Sequence, residues 1–190
     1  MNGQPTLYVI GASAPPVRQL ADACRLALHA GWQPYVTLTP TAAEWVDLAE
    51  LQTATGHLIR VHPRQPGESE VFPPADAVHA APLTFNTINK WACGINDTVA
   101  LGLLNEVLSS DTTIVAVPCV KPALQAHPAY AVNVNLLESA GVRFLHDSIV
   151  TRGRDGLAAF DWRVVVQHLS RITRAALHLV SCQVGALAVC

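Results

Sequence analysis

The sequence predicts an α/β domain in three layers, a parallel sheet with helices on both faces. Short apolar runs rich in strand formers recur at Thr6 to Ile10, Pro34 to Leu38, Ala77 to Ala81, Thr112 to Val117 and Val142 to Leu145. Stretches of helical length separate most of them, the alternation that gives a parallel sheet. The runs are apolar at consecutive positions, as strands covered on both faces must be.

Composition limits the rest. With 190 residues, 51% of them apolar and 14% charged, the chain suits one domain over 1–190, with about 175–190 as a tail that frays or packs on a neighbour. Twelve basic against 14 acidic residues leave a net charge of -2, too weak and mixed to draw a polyanion, so no nucleic acid is expected. The five cysteines, Cys24, Cys93, Cys119, Cys182 and Cys190, form no close metal-type pair, and their odd number argues for a reducing cytoplasm rather than a disulfide framework. No charged leader opens the chain. The apolar run from Leu7 breaks at Pro15 and Pro16, and the apolar HLVSCQVGALAVC end is too short for a membrane span, so no membrane partner is expected.

The first strand runs into Gly11, Ala12, Ser13 and Ala14. Small residues there let backbone approach an anion, Ser13 can donate its hydroxyl, and a helix from Val17 to Ala30 would point its positive end the same way. A tight connection needs the same residues. Gly31 closes that helix, and the second strand ends at Thr39, Pro40 and Thr41, where Thr39 or Thr41 can cap a helix from Ala42 to Thr53. His57 to Val61 reads as a short third strand. The following HPRQPGESEVFPPAD carries four prolines and one glycine, a loop expected over the same sheet edge as the site, as a flap. His62 belongs on that loop. His79 lies within the next strand, where a buried, hydrogen-bonded structural histidine is expected.

The stretch from Pro82 to Glu106 organises the reading. Pro82 ends a buried strand, since proline donates nothing to a sheet ladder. Thr84 and Asn86 can cap a helix, and Asn86, Lys90, Cys93 and Asp97 recur at helical spacing to give one polar face. Such a face at a strand's carboxyl end is where open parallel sheets bind ligands. Later, Thr112 to Val117 leads into a second proline-spaced loop, AVPCVKPALQAHP, before a helix near Ala129 to Ala140. A final helix spans Trp162 to Leu179.

PLTFNTINKWACGINDTVALGLL resembles the PASANT motif and its continuation in the flavin-dependent cysteine decarboxylases, which include phosphopantothenoylcysteine decarboxylase and the lantibiotic peptide decarboxylases. Pro82, Asn86, Thr87, Lys90, Gly94 and Asp97 match, and Phe85 stands in place of a small alanine. The resemblance covers Thr6 to about Leu169 and implies a Rossmann-like (flavodoxin-like) sheet and an FMN cofactor. It implies self-assembly as a homotrimer or dodecamer, and a peptide or small-molecule substrate. It makes Gly11, Ala12 and Ser13 the phosphate loop, and Thr39, Thr84, Asn86, Thr87 and Asp97 further cofactor contacts. AVPCVKPALQAHP resembles the PAMN substrate segment, with Lys121 where an asparagine holds the substrate carboxylate.

One departure bears on chemistry. The family histidine lies about fourteen residues before the motif proline, and Glu68 occupies that position here. Glu68, Asn86 and Lys121 are therefore the catalytic candidates. The implied activity is oxidative decarboxylation of a cysteine-ended substrate. The alternatives are a flavin prenyltransferase-like enzyme, which lacks an Asn86 to Lys90 motif, and a non-catalytic flavin-binding or regulatory protein.

Overall fold

A computed structural model of the chain describes residues 4–145, 150–153, 157–168 and 170–171. Five parallel strands form one sheet: β1 (Thr6–Gly11), β2 (Gln33–Leu38), β3 (Ala77–Leu83), β4 (Thr113–Pro118) and β5 (Arg143–Phe144), in the order β2-β1-β3-β4-β5. Val9 pairs with Val36 on one side and His79 on the other, and Ala80 pairs with Ala116.

Alternation along the strands divides the core into two layers. Leu7, Val9, Val36, Leu38, Ala77, Ala81, Val115 and Val117 pack against α1 (Leu20–His29), α3 (Leu48–Thr55) and a helix over 162–168. Tyr8, Ile10, Val78, Ala80, Leu83, Ile114 and Ala116 pack against α4 (Phe85–Ala92), α5 (Val99–Leu108) and α7 (Pro128–Ser139). Both faces are covered, so the strands are apolar without interruption. A two-stranded antiparallel unit, β6 (Val150–Arg152) with β7 (Ala158–Phe160), precedes the last helix and had no counterpart in the sequence pattern.

Several boundaries differ from expectation. His57 to Val61 makes only an isolated bridge, Arg60 with Thr37, because the chain follows β2 for one residue before turning away. The expected helix over 42–53 is two, α2 (Pro40–Ala43) and α3, because the Asp47 carboxylate accepts from the Ala49 and Glu50 amides and starts a new helix. Pro82 does not end its strand: β3 runs to Leu83 across a register shift, and the Pro82 carbonyl accepts from Ala12 N–H at 2.8 Å. A missing donor is tolerated where the ladder is already irregular. The last helix is seen only to 168 and at 170–171; its expected extension to Leu179, the 175–190 tail, Cys182 and Cys190 lie outside the described residues.

Candidate functional site

Parallel strands put every carboxyl end on one edge, and the loops leaving that edge enclose a cleft of about 1400 Å³. Strands β1, β2, β3 and β4 each contribute the residues that follow them.

The loop after β1 is built for packing as much as for binding. A Cβ on Gly11 would lie 2.9 Å from Leu38 Cδ2 and 3.3 Å from Val17 Cγ2, so the glycine admits a close approach of β1, β2 and the following turn. Ala12 is buried, with its amide used by Pro82. Neither residue lines the cleft; Ser13 and Ala14 do. The Ser13 hydroxyl has no partner among the described residues. The expected helix dipole is also weaker than the sequence suggests. A 3₁₀ turn over Pro15–Gln19 precedes α1, and its first two residues are prolines without an N–H to offer.

After β2, the Thr39 amide donates to the Gly11 carbonyl at 3.0 Å and its Oγ1 accepts from Ala42 N–H at 3.4 Å. Thr39 therefore caps α2, and still lines the cleft together with Thr41. After β3, Thr84 caps α4 by accepting from Thr87 N–H at 3.3 Å, and the two hydroxyls meet at 2.9 Å. Thr84, Asn86 and Thr87 all face the cleft; Thr87 is buried, whereas Asn86 is exposed and its amide has no partner among the described residues. Phe85 lies edge-on to His127 at 5.5 Å between ring centroids.

Lys90 and Asp97 both line the cleft and form an ion pair, but Asp97 is not on the Lys90 helix as its spacing suggested. The α4 helix stops before Gly94, whose φ of +69° reverses the chain and carries Asp97 back to Lys90. After β4, the Cys119 amide donates to the Leu83 carbonyl at 2.8 Å. Cys119 lines the cleft and packs against the core beneath it, and burial raises the pKa of its thiol. Lys121 caps α6 (Pro122–Gln125) with its backbone alone, leaving an exposed ammonium with no ion-pair partner among the described residues.

The structure corrects the position of Glu68. A loop that feeds a parallel strand arrives at its amino end, and residues 62–76 do so: Asp76 accepts from Thr6 N–H at 2.7 Å at the amino start of β1. The segment starts beside the carboxyl end of β2, where the Leu38 amide donates to the Arg60 carbonyl, and passes Asn96, Asp97 and Thr98 with Pro63, Arg64 and Glu70. Only then does it descend to the amino edge, and none of residues 62–76 lines the cleft as the expected flap would. Glu68 does not line the cleft; its carboxylate accepts from Gln65 N–H at 2.8 Å on an exposed turn. The loop is pinned by Glu70, which accepts from Arg60 and from the Val71 and Phe72 amides, each at 2.9 Å. The Arg60 hydrogen bond holds the Glu70 carboxyl down to a pKa of about 2. Arg60 also stacks 4.0 Å above the Phe72 ring, and the Tyr8 hydroxyl donates to the Pro73 carbonyl at 2.7 Å. His62 stays outside the cleft too.

His79 is buried as expected but not hydrogen-bonded as expected. Its Nε2 has no partner among the described residues, its ring meets Trp162 edge-on at 6.1 Å, and burial lowers its pKa to about 4. It faces the layer with α1, away from the cleft. Trp45, which does line the cleft, carried no signal in the sequence beyond its closeness to a strand end, whereas Leu124, which also lines it, belongs to the segment that resembles PAMN.

Residues 25–174 match the Flavoprotein family. The chain belongs to that family. The coenzyme A biosynthesis bifunctional protein CoaBC of Thermococcus kodakarensis is 27% identical over 150 residues, which are 75% of this chain and 36% of that protein. The chain thus spans about a third of the length of the curated relative it matches. Solved structures share the fold. SpaF, an FMN-dependent cysteine decarboxylase, superposes with a TM-score of 0.71 at 21% identity, covering 90% of this chain and 98% of that one. The FMN binding protein AtHal3 gives 0.71 at 13% identity with the same coverage, and HAL3 from Cryptococcus neoformans gives 0.67 at 18%, covering 92% and 99%. The Rossmann-like, flavodoxin-like architecture is that of this flavoprotein. Among the described residues no helix is long and apolar enough to cross a membrane.

Proposed function

We propose that this flavoprotein binds FMN in the cleft and acts on an anionic-ended substrate by decarboxylase-type chemistry. One observation carries the reading: four neighbouring strand ends bring Ser13, Thr39, the Thr84–Thr87 motif and Lys121 to a single cleft. The Ser13 hydroxyl and the Asn86 amide, both without a partner among the described residues, suit a phosphate-bearing, heteroaromatic cofactor, and the cleft has room for it. Bound flavin would supply hydride acceptance, which the protein's side chains cannot.

The chain's own part is holding and orienting. Lys121 attracts the anionic end of the substrate as a point charge. Asn86 offers both a donor and an acceptor. Asp97, tied to Lys90, positions the turn after α4 and is not a free base. Self-association belongs to the same proposal, and exposed Val132 and Leu136, one turn apart on α7, offer it an apolar stripe.

A second reading, flavin binding without turnover, is favoured by one feature. Among the described residues no imidazole lines the cleft, and Glu68 does not line it either. Titration with FMN tests the first step: wild type develops bound-flavin absorbance, and Ser13→Glu loses about 100-fold or more in affinity through like-charge repulsion of the phosphate. A wild-type protein that takes up no FMN rejects the proposal. Flavin that binds but is not bleached by cysteine-ended peptides selects the second reading.

A further inference from the structure

The wall of the cleft beside Asn86 is aromatic and braced. Phe85 is the first residue of α4, is half-buried, and lines the cleft. Two rings from the start of α7 stand behind it: Tyr130 lies nearly parallel, with 6.5 Å between centroids and 23° between planes, and His127 meets it edge-on at 5.5 Å. Neither of them lines the cleft. The brace is itself fixed. His127 Nδ1 accepts from Ala129 N–H at 3.1 Å and so caps α7, and Asn133 Nδ2 donates to Asn89 Oδ1 at 2.8 Å, tying α7 to α4. Phe85 therefore meets the cleft with little rotamer freedom left to lose on binding.

Where the motif it resembles has a methyl group, this chain puts a phenyl ring. A ligand beside Asn86 thus meets an apolar face and, one residue on, an amide that both donates and accepts. A flat heteroaromatic ring has the matching combination of apolar faces and a polar edge. The order of the strands agrees. Ser13 and Thr39 follow β1 and β2, so a phosphate held there lies at one end of the cleft, and β3, next to β1, brings Phe85 one strand interval farther along, ~4.8 Å. Trp45, the other aromatic side chain that lines the cleft among the described residues, follows α2 and stands at the phosphate end. We propose that the ring of bound flavin stacks on Phe85, with Tyr130 and His127 as positioning residues that hold the phenyl ring in place. The assignment rests on the proposed FMN site and adds residues that the resemblance did not mark.

The test compares FMN titrations of the full chain in wild type, Phe85→Leu and Phe85→Tyr, together with the visible circular dichroism of the bound flavin at saturation. Leucine keeps apolar bulk without the ring, and tyrosine keeps the ring. Phe85→Leu should weaken FMN about tenfold and change the bound-flavin dichroism, whereas Phe85→Tyr should match wild type within about twofold. Tyr130→Ala should alter the dichroism in the same direction with a smaller loss of affinity. Wild-type affinity and dichroism in Phe85→Leu overturn the assignment. Equal losses in the leucine and tyrosine variants overturn it too, because they report a disturbed start of α4 rather than stacking. A dichroism change in Trp45→Leu with none in Phe85→Leu moves the ring to the β2 end. A wild type that takes up no FMN rejects the proposed function and this assignment with it, whereas uptake indifferent to Phe85 rejects the ring assignment alone.

Discussion

Two proline-rich segments leave different marks on this protein. Residues 62–76 are tied down: Arg60 and the Val71 and Phe72 amides converge on Glu70, Phe72 is buried beneath Arg60, and the Tyr8 hydroxyl holds Pro73. The segment from Pro118 to Pro128 uses its backbone for the Leu83 contact and for α6, and turns Cys119, Lys121 and Leu124 into the cleft with their side chains free for ligand. The difference follows from the path each segment takes along the sheet. The first crosses from the carboxyl end of β2, beside Arg60, to the amino end of β3 and satisfies its own groups on the way; the second leaves β4 and stays at the carboxyl edge, where ligands sit.

Substitutions can sharpen or break that contrast. Phe72→Ala should have the largest effect, removing the buried anchor of the 62–76 segment at a cost of about 3 kcal/mol. Denaturant unfolding measures it, and FMN affinity should stay unchanged if the segment is structural. A loss of flavin with no loss of stability would instead put the segment at the site.

Acid titration probes the opposite layer. His79 has a folded pKa of about 4 against an ordinary value near 6.5, so the unfolded chain binds its proton first as pH falls. Stability is unaffected by this group above about 6.5 and declines through the window down to about 4, by roughly 3 kcal/mol in all. His79→Gln should remove that slope. Glu70 acts in a lower window, contributing stability above its unfolded pKa that disappears as pH falls toward about 2, and its half-exposed carboxylate makes the contribution small. An unaltered acid profile in His79→Gln would mean that His79 is not the group responsible.

Lys121→Ala should leave the unfolding midpoint in place, because the ammonium is exposed, while weakening an anionic-ended ligand about tenfold. Equal binding in both proteins would remove Lys121 from the site. The smallest effect belongs to Glu68→Gln: flavin affinity, turnover and stability should all match wild type within ~0.5 kcal/mol. Any large drop in turnover would bring the 62–76 segment back to the chemistry.

The sequence by itself determined the layer architecture and the cleft's parts. Apolar runs specify covered strands because both faces must leave water. The threonines and asparagine after β3 announce a helix start because their short side chains can satisfy its free amides. Motif resemblance then marked Ser13, Thr39, Thr84, Asn86, Thr87 and Lys121, all of which line the cleft. Tertiary structure alone decided the rest. Glu68 was assigned by counting along the chain, which fixes contour length but not which side chains of a loop reach the cleft. Gly11 and Ala12 looked like anion-binding backbone, yet strand packing takes up their space and the Ala12 amide. Asp97 reached Lys90 through a turn rather than along a helix, and Trp45 met the cleft from a distant β2 end. Spacing records local periodicity, whereas these placements depend on which strands lie side by side.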